Sequence, residues 1–346
     1  FYQKTMNHFL LHLDYKFKLK YFRTSPNKTK PKEELEHMFK FNTDALDNNQ
    51  LNFLKHKAME GLAYSTLYCY SKDFRVFNEV AEGENLEEKV LNFFFEKRDL
   101  KGGYNGYRKR LNAYFRFLID KGIIEENPIH KLGIKRKKDD AEPRPAEKES
   151  LKKILDILDL NDYIEYRDYV YILLTLDTGI RPAEAVKVYE NLFDFYNKDL
   201  RITPSIGKCH KSRILPLSDG VIKYIKRLFE INKKNKFKSN NLFLSDSGKE
   251  LTTIAMQRRL FRYCDILELS GEDRITPYQL RHYFATTYLE NGGNIVYLQY
   301  LMGHADIKMT KKYLKINQES VANEHRRFSP VNDIMFEKKR ITKINI

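Results

Sequence analysis

One charged, proline-bearing stretch constrains this chain most. Ile134-Lys135-Arg136-Lys137-Lys138 runs into Asp139-Asp140, then Pro143 and Pro145, with no apolar periodicity. Such text reads as a linker rather than a helix or strand. It leaves a helical front part and a back part of about 200 residues, each of domain size. The expected division is a basic N-terminal extension over 1–43, a helical domain over 44–134, a linker over 135–145, a second domain over 146–330 and a tail over 331–346.

The front part is written in helical period. Gly61 closes a helix over Asn52 to Glu60, and Ser65 is placed to cap the next. Leu67, Tyr70, Phe74 and Phe77 then share one face. After the turn at Gly102-Gly103 and Gly106, Tyr107, Leu111, Tyr114, Phe115 and Leu118 form a second stripe on a helix that also bears Arg108, Lys109, Arg110 and Arg116. A basic, aromatic-rich helical module suits DNA, although any one of these cations also reads as a solvated helix face. Ahead of it, Lys16 to Tyr21 alternates like a short strand.

The back part mixes periods. A helix is expected from about Ala146, with Leu151, Ile154, Leu155 and Leu158 on one side. Strands are expected over Leu192–Phe195, Leu200–Thr203 and Arg213–Leu217, the last pair joined by the hydrophilic turn Gly207 to Ser212. Helices then run to about Arg327. The fold class is mainly α with a small antiparallel β-sheet (α+β).

Charge and cysteine narrow the function. There are 62 Lys+Arg against 47 Asp+Glu, a formal charge of +15, which favours a polyanionic partner. The longest apolar stretch, Tyr169 to Leu176, is well short of the roughly 20 residues a spanning helix needs, so no membrane role is expected. The three cysteines, Cys69, Cys209 and Cys264, form no CxxC pair, which argues against a disulfide framework or a cysteine zinc site and for an intracellular chain. There is no P-loop, GxGxxG, HExxH or carboxylate cluster, so no cofactor or metal is expected.

Four polar segments interrupt otherwise apolar helical text. Thr178-Gly179-Ile180-Arg181-Pro182-Ala183-Glu184 sets a guanidinium at a backbone turn, with Glu184 in reach to hold it. The others are the basic tip Lys208 to Arg213, Thr276-Pro277-Tyr278-Gln279-Leu280-Arg281-His282, and Leu301-Met302-Gly303-His304-Ala305-Asp306 with Tyr313 nine residues after His304. Taken singly, Arg181, Lys208 and Lys211 read as surface cations, His304 as a satisfied histidine and Tyr313 as packing.

In this order and spacing the four segments resemble the tyrosine recombinase, or phage-type integrase, family, of the Xer-like kind. The likeness covers roughly residues 50–330, with Asn127-Pro128 ending a core-binding domain. It implies a two-domain, C-shaped clamp on double-stranded DNA, a homotetramer on synapsed sites, and a cytoplasmic, nucleoid-associated setting. It implies no cofactor. Tyr313 is the expected nucleophile, forming a 3′-phosphotyrosyl link. Arg181 and Arg281 are expected to clamp the phosphate, Lys208 (with Lys211 second) to protonate the leaving 5′ oxygen, and His304 to assist. Glu184 and His282 are expected as supports. Lys211, Arg213, Arg108, Lys109, Lys135 and Arg136 are candidate DNA contacts, and Ser320 to Arg327 a candidate docking helix. One position departs: the family's usual histidine three residues before the second arginine is Tyr278. A phenol is a poor acid and base at neutral pH, which leaves open who takes the nucleophile's proton. The spacing to His304 favours Tyr313 over Tyr278 as nucleophile. The implied function is site-specific DNA cleavage and rejoining. The alternatives are an inactive DNA-binding accessory of the same fold and a relaxing enzyme of type IB character.

Overall fold

The computed structural model describes residues 43–100, 102–138, 142–207, 212–314 and 318–331. The expected strand at Lys16 to Tyr21, all but residue 43 of the expected extension over 1–43, Lys208, Lys211 and nearly all of the tail lie outside these. The chain divides into two compact units between Asp140 and Ala141.

The first unit is all helix: α1 (Asn48–Met59), α2 (Tyr64–Val80), α3 (Leu86–Glu96), α4 (Tyr104–Asp120) and the short α5 (Pro128–Lys131). Asp47 and Gln50 cap α1 reciprocally, each side chain accepting from the other's backbone N–H. Ser65 does not cap α2. Leu67 N–H donates to the Ala63 carbonyl, so the helix begins two residues earlier, and Ser65 sits inside its first turn. The core is aromatic. Phe53, fully buried, meets Tyr70, Tyr114 and Phe117 edge-on at centroid distances of 5.0, 5.5 and 5.4 Å. Edge-to-face geometry adds about 0.5–1.5 kcal/mol per pair beyond area burial.

The second unit contains α6 (Lys148–Asp156), α7 (Tyr163–Thr178), α8 (Pro182–Ala185), β1 (Phe193–Asp194), β2 (Asp199–Ile202), β3 (Arg213–Pro216), α9 (Asp219–Lys234), α10 (Thr253–Ile266), α11 (Pro277–Glu290), α12 (Ile295–Met302), α13 (Ile307–Lys311) and α14 (Gln318–Phe328). The α7 helix is apolar on nearly every side and is accordingly the buried axis, packed against α9 and α11. The sheet is antiparallel in the order β1-β2-β3, with Leu200 opposite Leu215 and Ile202 opposite Arg213. Alternation along β3 turns Arg213 and Leu215 inward and Ile214 outward. A smaller apolar cluster of Ala285, Leu298, Met302 and Tyr313 joins α11 and α12 to the segment after α13.

Candidate active site

The site is built where helices end. Both α7 and α12 stop at a glycine in the left-handed conformation, Gly179 and Gly303, each at φ +61°. A helix C-terminus leaves carbonyls without intrahelical partners and carries partial negative charge. Here successive carbonyls at the end of α12 each take one arginine. Arg213 Nε donates to Leu301 O at 2.9 Å, Arg281 Nη2 to Met302 O at 2.7 Å, and Arg181 Nη2 to Gly303 O. Arg281 Nη1 also donates to Gly179 O at 2.6 Å, tying the ends of α7 and α12 together.

Arg181 occupies the N-cap position of α8, aimed by the turn at Gly179 and Ile180. Glu184, 1% exposed, accepts from Arg181 Nη1 at 3.1 Å and from Arg213 Nη2 at 2.5 Å. Burial alone would raise its pKa; the two guanidinium groups outweigh burial and lower it. Among the described residues, Glu184 is the one carboxylate hydrogen-bonded to these arginines. Three guanidinium charges against one carboxylate leave a surplus for an anion. Burial, then the charge of Arg181, presses Arg281 down to about 9, still above neutrality, so it keeps its charge at pH 7.

His304 follows directly. Its Nε2 lies 3.2 Å from Arg281 Nη2 and its Nδ1 2.9 Å from Thr310 Oγ1. Since guanidinium only donates, Nε2 accepts, and Nδ1–H donates to the threonine. Burial and the neighbouring arginines depress His304 to about 4, so it is neutral. Its ring stacks on Tyr313 at 6.4 Å and 7°. Tyr313 is 7% exposed, and its hydroxyl meets His282 Nδ1 at 2.7 Å. Burial raises the phenol, against the pull of Arg281.

Arg181, Arg281, His304, Tyr313, Glu184 and His282 are therefore brought together, while Lys208 and Lys211 lie outside the described residues. Tyr278 stands apart. It is 52% exposed and its hydroxyl makes no hydrogen bond among the described residues, its ring 6.5 Å from His282. Arg213 corrects the sequence expectation of a DNA contact. It is 5% exposed and spent on Glu184 and Leu301, because the pleat of β3 turns it inward. Arg108 donates from Nε to Ile134 O at 2.8 Å, whereas Lys109, Lys135 and Arg136 are exposed. Nothing in the sequence marks Thr310 as the partner of His304, and the charge of Arg213 hides its inward turn. The period-two alternation Arg213, Leu215, Leu217 was the signal for the latter. Among the described residues, no group of three or more His, Cys, Asp or Glu side chains is arranged to hold a metal, and no helix is long and apolar enough to cross a membrane.

Clamped arginines beside a buried, hydrogen-bonded tyrosine form a cationic cluster suited to an anion. The family model for phage integrases matches residues 146–320, and the chain belongs to that family, the tyrosine recombinases. It is 28% identical over 295 residues to tyrosine recombinase XerC of Roseiflexus castenholzii, covering 80% of this chain and 92% of that protein. It is also 28% identical over 286 residues to XerD of Listeria monocytogenes, covering 78% and 94%. The fold matches the Tn1549 transposon integrase in complex with a circular intermediate DNA at TM-score 0.64 and 21% identity, over 81% of this chain and 98% of that one. It matches a lambda integrase dimer bound to a core site at TM-score 0.65 and 18% identity, over 85% of each chain.

Proposed function

We propose that this chain is a site-specific DNA recombinase that breaks and rejoins strands through a 3′-phosphotyrosyl link on Tyr313. The observation that carries this reading is the row of arginines at the end of α12, set beside the buried Tyr313 hydroxyl. Arg181 and Arg281 face the non-bridging oxygens, where planar, permanently charged donors stabilise the extra charge of the phosphorane. Tyr313 attacks phosphorus, and the 5′ oxygen leaves with a proton. Lys208, with Lys211 as second choice, is our assignment for the donor. The covalent link keeps the phosphodiester energy, so rejoining needs neither ATP nor metal. His304 supports the phosphate beside Arg281. Relatives of known Xer and integrase type, several solved on DNA, support double-stranded DNA as the partner.

The exchange of two duplexes requires four strand cuts, and each chain offers one nucleophile at a time. A homotetramer on two synapsed sites is therefore our assignment. Every side chain from Val321 to Phe328 on α14 is exposed in the single chain, which supports that segment as the part that docks on a neighbour. An enzyme with this substrate works in the compartment that holds the DNA, which we take as the cytoplasm. The Tyr278 departure, the one feature favouring an inactive accessory, leaves the arginines, His304 and Tyr313 assembled.

The test uses a duplex enriched from a random-sequence pool by binding to the protein, then nicked so that the cleaved fragment diffuses away. Wild type is expected to accumulate a denaturation-resistant protein–DNA adduct. Tyr313→Phe is expected to bind the duplex equally and form none. An adduct with the phenylalanine variant, or none with wild type, contradicts the reading.

A further inference from the structure

Attack by a phenol needs somewhere for its proton to go, and most groups around Tyr313 are otherwise engaged. The Nε2 lone pair of His304 is taken by Arg281, and its Nδ1–H is given to Thr310. Position 278 carries a half-exposed phenol, a poor base near neutrality. One helical turn along α11, at the i+4 position, His282 lies on the same face. Its Nδ1 is 2.7 Å from the Tyr313 hydroxyl, with the rings 5.6 Å apart. Of the two neutral partners the phenol is the stronger acid, so the O–H donates and Nδ1 accepts. The contact is direct, within the reach a general base requires.

We propose that His282 is the general base of the cleavage step and the general acid of rejoining, a role resting on the recombinase reading above. As the Tyr313 oxygen bonds to phosphorus, its proton passes to His282 Nδ1. The phosphorus–5′ oxygen bond breaks, and its electron pair leaves with the 5′ oxygen, protonated by the cationic donor already assigned. His282, now imidazolium, returns the proton to the Tyr313 oxygen when the incoming 5′ hydroxyl displaces it, and that hydroxyl gives its own proton back to the donor that lost one in cleavage. Protons and bonds balance with no further reactant. The groups facing His282 are Arg281 and Tyr278 on its own helix, and Tyr313, with His304 stacked on it, from the segments packed against α11. Burial, then Arg281, holds His282 down to about 4, so it is free to accept a proton throughout the neutral range. A phosphate entering beside Arg281 offsets that positive charge and makes the imidazole more basic as substrate binds.

The experiment is the single-turnover rate of adduct formation on the nicked duplex from pH 6 to 9. Wild type is expected to be nearly flat. His282→Gln is expected to fall by about 100-fold at pH 7 and to regain rate at about tenfold per pH unit, as hydroxide replaces the lost base. Imidazole added to His282→Ala should restore part of the rate. Duplex binding by gel shift should match wild type; if glutamine abolishes it, His282→Asn carries the same comparison. A loss of equal size at every pH with no imidazole rescue means His282 only positions Tyr313, and overturns the proposal. A rate within about threefold of wild type overturns it too, as does the new pH slope appearing in Tyr278→Phe instead. A wild type that forms no adduct overturns the recombinase reading itself, a separate and distinguishable failure.

Discussion

Glu184 shows how one residue sets the charge of the site. It is almost fully buried and holds two arginines. Removing one partner of a buried ion cluster strands the others, which costs about 3–5 kcal/mol. Glu184→Ala is therefore expected to lower the urea midpoint by that equivalent; an unchanged midpoint would mean the arginines find other partners. Its lowered pKa gives the sign of a pH effect. The contribution is complete above the unfolded carboxylate range, near 4.3, and is lost as pH falls through the still lower folded value. Acid titration of wild type against Glu184→Gln should show stabilities that diverge at neutral pH and converge in strong acid. Arg281 belongs to the same scale. Lysine cannot reach the carbonyls of Gly179 and Met302 with a planar fork and also face a phosphate. Arg281→Lys is expected to slow adduct formation by about 100- to 1,000-fold, with duplex affinity changed far less.

At the scale of elements, the design is a helix C-terminus used as a cation rack. Gly303 is indispensable to it. Its φ is +61°, and a Cβ there would lie 2.9 Å from Arg181 Nη1 and 3.2 Å from Arg213 Cζ. Gly303→Ala is expected to displace both arginines and to reduce cleavage at least about tenfold, read as adduct yield at saturating DNA; full cleavage would show the rack tolerates a side chain. Gly179 is confined differently, since its Cβ would fall 2.2 Å from Phe284, so Gly179→Ala should register first as lost thermal stability. These elements were unevenly legible in the sequence. The buried axis α7 and the strands β2 and β3 follow directly from hydrophobic period, as does the aromatic stripe of α4. Arg181, Arg281, His304 and Tyr313 stand out because polar residues interrupt apolar text. The charge of Arg213 suggests surface, while its strand phase turns it inward. The carbonyls of Leu301, Met302 and Gly303 left no trace, because a backbone acceptor is written by no residue type. The contact between His282 and Tyr313 spans 31 residues and exists only once α11 and the segment after α13 meet.

For the whole molecule, the charge of +15 predicts that phosphate neutralisation supplies a large share of DNA affinity. If about 6–10 phosphates are contacted, affinity should fall by about 10³–10⁵-fold between roughly 50 and 200 mM salt. A weak salt dependence would shift the recognition to uncharged contacts. Lys109, Lys135 and Arg136 are exposed and suited to charged contacts with phosphate. Their replacement by alanine should lower affinity and flatten the salt slope without altering the cleavage rate at saturating DNA. Binding alone, however, does not separate a recombinase from a DNA-binding protein of the same fold. The deciding measurement is the chemical identity of the trapped adduct. After nuclease and protease digestion, mass spectrometry should find the nucleotide esterified to the peptide that carries Tyr313. A nucleotide on Tyr278, on any other residue, or on none would contradict the account.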